Sequence, residues 1–436
     1  MNPIEISRPT FDREYRFWPL FVLSFTRTFF YAIFDVAFLN YLIFDRKLDS
    51  GLIGIISAIT SIIYVGGPFF GRYIATKTNM KNVIFLSWSA STLMLVLSVI
   101  IMNPIALIFF RSFEGFSNGA FWPQIWNYLT SWEKSHHMKN KKIDFLKIFN
   151  YSWNLGLIFG FGLGYVLAYL ISDYFAAIIS VGIAVLSISV IFMLEPSDRF
   201  IFKEDRAVVV QGLKLTPKDW KEYESTEQKA PYTEDVEKSL SRVPLVICMG
   251  GIIFFASTKS MYRFTIPYFF EIGGQESFWI FGIVLFQQML QMVGLQIIRK
   301  FKKMRIGYWI AIVILVSTTI ALSVFSDTAI STYLIPISIV NITCGLFFGF
   351  IQGVTQRIVL DKGKKTNSTV YTMLSEAYVG ISFGVPPIIA GFLFQLKFVY
   401  VFYFQIILSV LTISILLRYH FVYMKSEKLR KKEISN

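Results

Sequence analysis

The chain predicts an all-α membrane protein with twelve transmembrane helices in two pseudo-symmetric six-helix bundles. Three observations carry that expectation. Of 436 residues, 54% are hydrophobic and 16% charged, with mean hydropathy +0.55, against about 25% charged in soluble proteins. The apolar residues fall in runs of about 20 or more, the length a helix needs to cross hydrocarbon, and not in the short alternating runs of a β-barrel. Lys and Arg collect in alternate loops, as a polytopic chain requires.

The first helix, over 17–43, follows a tail of mixed charge and has no small-residue cleavage site, so it is read as retained. It carries Arg27 and Asp35, eight residues and about 12 Å apart along the axis, on one side of the helix but too far apart to pair. Helices follow over 51–75, with Gly66-Gly67-Pro68 allowing a bend, 82–102 and 104–131. The last of these places Arg111 and Glu114 three apart, close enough to neutralise each other, ahead of Asn118, Trp122, Gln124, Trp126 and Asn127, with Pro123 relaxing the helix. The fifth helix, 145–171, carries Trp153 and Asn154, and the sixth, 174–194, ends the first bundle (1–194).

Residues 195–242 hold nine Lys/Arg, eleven Asp/Glu and three prolines, and read as a soluble linker. The second bundle (243–420) begins with a helix over 243–270 that carries Lys259 and Arg263 on one face, followed by Pro267. Next come 277–298, with Gln287, Gln288 and Gln291, then 306–325, and 330–358 with Gln352 and Gln356. The last two are 367–395, with Glu376 and Pro386-Pro387, and 398–420, before a basic tail over 421–436.

With both termini inside, the inner segments hold 35 of the 42 Lys/Arg and the outer loops only Arg46, Lys47 and Lys397. The net charge of +14 is therefore a topology signal and an affinity for an anionic inner leaflet, and no nucleic-acid module accompanies it. Cys248 and Cys344 lie in apolar runs and make no disulfide framework. His136, His137 and His420 fall in loop or helix-end positions, so no metal site and no cofactor is expected.

An internal repeat is visible. Thr26-Arg27-Thr28 in the first helix is echoed by Thr258-Lys259-Ser260 in the seventh, and Tyr151-Ser152 with Gly160 and Gly164 by Tyr371-Thr372 with Gly380 and Gly384. Arg111-Ser-Phe-Glu114-Gly115 with Asn118-Gly119, and Gly156 with Gly160-Phe161-Gly162 and Gly164, are similar to the fourth and fifth helices of the major facilitator superfamily. The loop after the second helix, with Gly71, Arg72, Lys77 and Lys81, resembles that family's gating loop, with Ala75 at its acidic position. The resemblance covers nearly the whole chain and implies two six-helix bundles, joined by a cytoplasmic linker, that carry a solute.

A charge at bilayer depth costs about 2.5 to 3.5 kcal/mol, so charged intramembrane residues face a bundle interior or a wet cavity. Candidate solute-binding residues are Arg27, Asp35, Asn118, Trp122, Gln124, Trp153, Asn154, Lys259, Arg263, Gln287, Gln291 and Gln352. Asp35, Arg111, Glu114 and Glu376 are the candidates for proton coupling. Four intramembrane cations face three anions, which favours an organic anion or acidic sugar moved with protons. The expected protein is a secondary transporter and not an enzyme, monomeric, in the plasma membrane, whose partners are a small solute, the bilayer and a coupling ion. A non-transporting receptor or assembly factor, and a membrane-embedded lipid-modifying enzyme, are the alternatives.

Overall fold

The computed structural model describes residues 18–134, 145–194, 199–203, 206–210, 265–300, 338–339, 341–350, 352–353 and 368–435. Among them, eight helical spans are long and apolar enough to cross a membrane. The ninth expected helix and most of the seventh, with Lys259 and Arg263, lie outside the described residues.

Helix α1, Trp18–Asn40, passes into a π-helical turn at Tyr41–Asp45. Lys47 then takes a left-handed backbone (φ 52°), and Leu48 N–H returns to the Leu42 carbonyl at 3.1 Å, which closes the helix end. Asp49 caps α2, Ser50–Tyr64, by accepting from Leu52 N–H at 2.9 Å. The expected single helix over 51–75 is in fact two, α2 and α3 (Gly67–Lys77). Pro68, in the first turn of α3, has no N–H to give to the Tyr64 carbonyl four residues back, so the ladder breaks there.

Asn79 caps α4, Met80–Ile100, and Asn103 accepts from two amides at the start of α5, Pro104–Lys134. Helix α6 spans Phe145–Leu170, and Ser172 caps α7, Asp173–Ser187, which tightens into a 3₁₀ segment at Ile188–Met193. In the expected linker, β1 (Arg199–Lys203) and β2 (Arg206–Val210) pair antiparallel, a hairpin absent from the helical expectation. The later helices are α8 (265–272), α9 (Phe278–Lys300), α10 (Asn341–Phe350), α11 (Ser368–Leu396) and α12 (Phe398–Ser435). Helix α12 runs on through the basic segment beyond the expected end near 420.

Close backbone approaches hold the frame, because helices in lipid gain from dispersion and small residues rather than from hydrophobic exclusion. A Cβ on Gly115 would stand 1.9 Å from the Thr60 carbonyl oxygen, and one on Gly119 2.2 Å from that of Tyr64. The second half repeats this: a Cβ on Gly345 would meet the Gln287 carbonyl at 2.1 Å, and one on Gly349 the Gln291 carbonyl at 2.1 Å. Gly67 and Gly294 complete the match, each against the second glycine of its pair. Residues 60, 64 and 67 thus correspond to 287, 291 and 294, so the α2/α5 contact and the α9/α10 contact are one unit used twice.

The halves meet along two seams, α2 against α11 and α6 against α9. A Cβ on Gly384 would lie 2.4 Å from the Ile62 side chain, and one on Gly164 2.2 Å from the Phe281 ring, so this glycine pair of the sequence repeat serves both seams. Gly160 and Gly380 diverge: the first faces α1 and the second α2.

Candidate functional site

The first half encloses a polar cluster in an apolar surround. Helix α1 brings Arg27 and Asp35 to one side, α4 contributes Ser91, and α5 contributes Arg111, Glu114 and Asn118 on successive turns. Arg111 donates to Glu114 and, at 3.2 Å, to Asp35 Oδ1. Asn118 Nδ2 donates to the Tyr31 hydroxyl at 2.9 Å and to Glu114 Oε1 at 3.3 Å, while its Oδ1 accepts from Arg27. Arg27 also donates to Ser91 Oγ at 3.1 Å.

Arg27 has no solvent exposure, and its guanidinium lies 4.1 Å from the Phe121 ring centroid, 5.0 Å from Trp88 and 5.3 Å from Tyr31. The aromatic faces and Asn118 offset the loss of water around that charge. Two cations and two carboxylates balance, and Arg111, with Glu114 and Asn118, bridges the 12 Å that keeps Asp35 and Arg27 apart.

Gln124 is buried, with no partner for its Oε1 among the described residues, and Trp122 packs edge-on against Phe121 and Phe149. Trp153 donates to Asn150 Oδ1 at 2.9 Å. In the second half Gln287 donates to Asn341 Oδ1 at 2.6 Å and Gln291 to Gln352 Oε1 at 2.5 Å, which ties α9 to α10 and its continuation.

Among the described residues, two polar contacts cross the seams at depth. On one, Gln288 donates to Asn154 Oδ1 at 2.6 Å. On the other, the Tyr64 hydroxyl donates to Glu376 Oε2, and the Trp126 side chain stands beside the same carboxylate. Tyr64 lies in an apolar run where nothing in the sequence signals a partner 312 residues away.

One end of both seams is crossed by hydrogen bonds and an ion pair, and is called the sealed end below. Asn40 donates to Asp173 Oδ1 at 3.3 Å and to the Ser277 carbonyl at 3.1 Å, and Ser277 Oγ donates to Asp173. Lys47 pairs with Glu271 at 2.6 Å, Gln395 donates to Asp49 at 2.6 Å, and the Tyr268 hydroxyl donates to the Leu48 carbonyl at 2.8 Å. None of these residues is in the sequence-based site. Asp173 reads from sequence as a helix-start acid, and only the neighbouring half reveals its second role.

The residues that the sequence comparison placed in a gating loop, Gly71, Arg72, Lys77 and Lys81, lie at the other end. Gly71 lets α3 approach Ala120 of α5, and Lys77 stands 5.4 Å from the Tyr73 ring centroid. Lys81 donates to the carbonyls of Leu194 (2.7 Å) and Phe192 (3.4 Å), where a cation is favourable at the end of a helix. Arg72, on α3, is half-buried.

The sequence model of the Major Facilitator Superfamily matches residues 20–384. The chain belongs to the Major Facilitator Superfamily. It is an integral membrane protein with that family's fold. The solved structure of the nucleoside transporter NupG superposes with a TM-score of 0.63 at 12% identity, covering 93% of this chain and 98% of that one. A bacterial homolog of the human lysosomal transporter Spinster, in an inward-facing and unoccupied conformation, superposes with a TM-score of 0.65 at 11% identity, covering 96% and 99%. At these identities the likeness is one of fold. No curated protein matches this superfamily member.

Proposed function

We propose that this protein is a secondary transporter that moves a small polar solute, an organic anion or a sugar-like molecule, by rocking two bundles about a central site, with protons as the coupling ion. The observation that carries the reading is the chemistry of the seams. The two halves repeat one glycine-packed frame, and the contacts between them include a run of hydrogen bonds and an ion pair at one end. Each such bond contributes about 0.5–1.5 kcal/mol net because water replaces it, and an exposed ion pair about 0–1 kcal/mol. A seal of that kind opens and closes at moderate cost.

The charge asymmetry supports placing both termini in the cytoplasm of a plasma-membrane protein, with the sealed end outside and 195–242 as the linker between bundles 1–194 and 243–420. Lys259 and Arg263 supply the positive lean that favours an anion, and the Asp35–Arg111–Glu114 cluster and Glu376 are the groups assigned to proton coupling. The nucleoside transporter that shares the fold adds neutral ribosides to the solutes worth testing.

The test is uptake of labelled sugars, carboxylates and nucleosides by proteoliposomes, with and without a pH gradient. The expected result is accumulation of an anion or sugar that rises with the gradient. Accumulation no greater than in empty liposomes across the panel, with protein that melts cooperatively, overturns the reading.

A further inference from the structure

Glu376 and its two donors come from three helices, and their placement assigns a role to residues that the site above does not include. Tyr64 sits at the end of α2, where the ladder breaks before Pro68, and Trp126 lies one turn beyond Pro123 in α5. Both reach across from the first half to a carboxylate on α11 of the second. Among the described residues Glu376 is in no ion pair; the Tyr64 hydroxyl donates to it and the Trp126 side chain stands beside it. From α2 the titratable group facing it is Tyr64, which in turn feels Arg27 of the first-half cluster, and from α5 it is the neutral indole of Trp126. Among the described residues no ion pair joins Glu376 to a charged group of α3, α11 itself or α12. The corresponding contact on the other seam, Gln288 to Asn154, is made of two amides that carry no proton to exchange.

We propose that Tyr64 and Trp126 are positioning residues for Glu376, and that the three form a proton-released pin holding α11 to α2 and α5 while the far end of the seam is sealed. The proposal rests on the reading of Glu376 as a proton-coupling residue and adds how its charge state reaches the bundles. An ionised carboxylate accepts charge-assisted hydrogen bonds, about twice as strong as neutral ones. When Glu376 takes a proton, one oxygen becomes a donor and the attraction for Tyr64 O–H and Trp126 N–H weakens. The seam then loses its deep anchor on one side only, because the amide pair on α6 and α9 is unaffected. The difference between the two seams gives the rocking motion a proton-dependent bias that a symmetric pair of contacts would lack.

The test needs no solute. Full-length protein, with Cys248 and Cys344 replaced by Ser, carries spin labels at Ile105→Cys and Lys397→Cys, both exposed at the sealed end and outside the proposed site. Pulsed electron–electron distances in lipid nanodiscs are then read between about pH 5 and pH 8, a range that spans carboxyl titration in folded proteins. The expected result is a wider label separation at low pH in the otherwise wild-type protein, and the same separation at every pH in Glu376→Gln. Tyr64→Phe, which removes one hydroxyl, raises the population of the separated form at high pH by about tenfold, the worth of one hydrogen bond to a charged group. Its effect shrinks in the Glu376→Gln background. Trp126→Phe acts in the same direction and serves if Tyr64→Phe does not insert.

A pH response that survives Glu376→Gln, or one that both Tyr64→Phe and Trp126→Phe leave unchanged, overturns the pin. Absent uptake with the pH response intact counts against the transport reading alone, and a flat response with uptake intact counts against the pin alone.

Discussion

Arg111 holds two carboxylates at once, Glu114 from its own helix and Asp35 from α1. Replacing it by Ala leaves those acids together without the cation that touches both, and breaking a buried pair from one side costs about 3–5 kcal/mol. Arg111→Ala should therefore lower the melting temperature sharply in detergent, and adding Asp35→Asn with Glu114→Gln should recover most of the loss. A single variant that melts with the wild type would show that the cluster does not stabilise the fold. Glu114 beside Arg111 is legible from spacing alone, since residues three apart on a helix meet. The Arg27 contacts with Ser91 and Asn118 are not, because they join residues 64 and 91 positions apart and depend on how three helices rotate against one another.

Between elements, the glycines of the repeated frame give a test with its own control. Gly115→Val and Gly345→Val place atoms where the Thr60 and Gln287 carbonyls already stand, and each should cost about 1–3 kcal/mol or more, as overpacking does. Gly182→Val, with nothing within 4 Å of its Cβ, should be nearly neutral. Melting curves of the three variants decide it, and equal losses in all three would show that the close approaches carry no weight. The helices themselves were readable from run length to within a few residues at most ends. The break before Pro68 was visible as a possible bend, but its consequence was not: the freed Tyr64 carbonyl lies against Gly119 while the Tyr64 hydroxyl meets Glu376.

Across the whole molecule, the sealed end joins elements that are distant in sequence. Asp173→Ala removes the acceptor shared by Asn40 and Ser277, and should let a membrane-impermeant maleimide reach a cysteine at Ser50, which is buried beside Gly391, several-fold faster than in the parent protein. Lys47→Ala should change that rate by less than about twofold, because Lys47 is 64% exposed and its ion pair is screened. Equal labelling rates in the parent and Asp173→Ala would remove Asp173 from the seal.

By itself the sequence determined the solvent this chain folds in, the positions of the spans among the described residues and the likeness of its halves. These follow from run length, charge placement and local spacing, which neighbouring residues settle without help from the rest of the chain. Tertiary structure decided which intramembrane polar groups satisfy one another and which join the two halves. A helix presents every residue to some neighbour, and only packing selects the neighbour that Arg27, Glu376 or Asp173 meets.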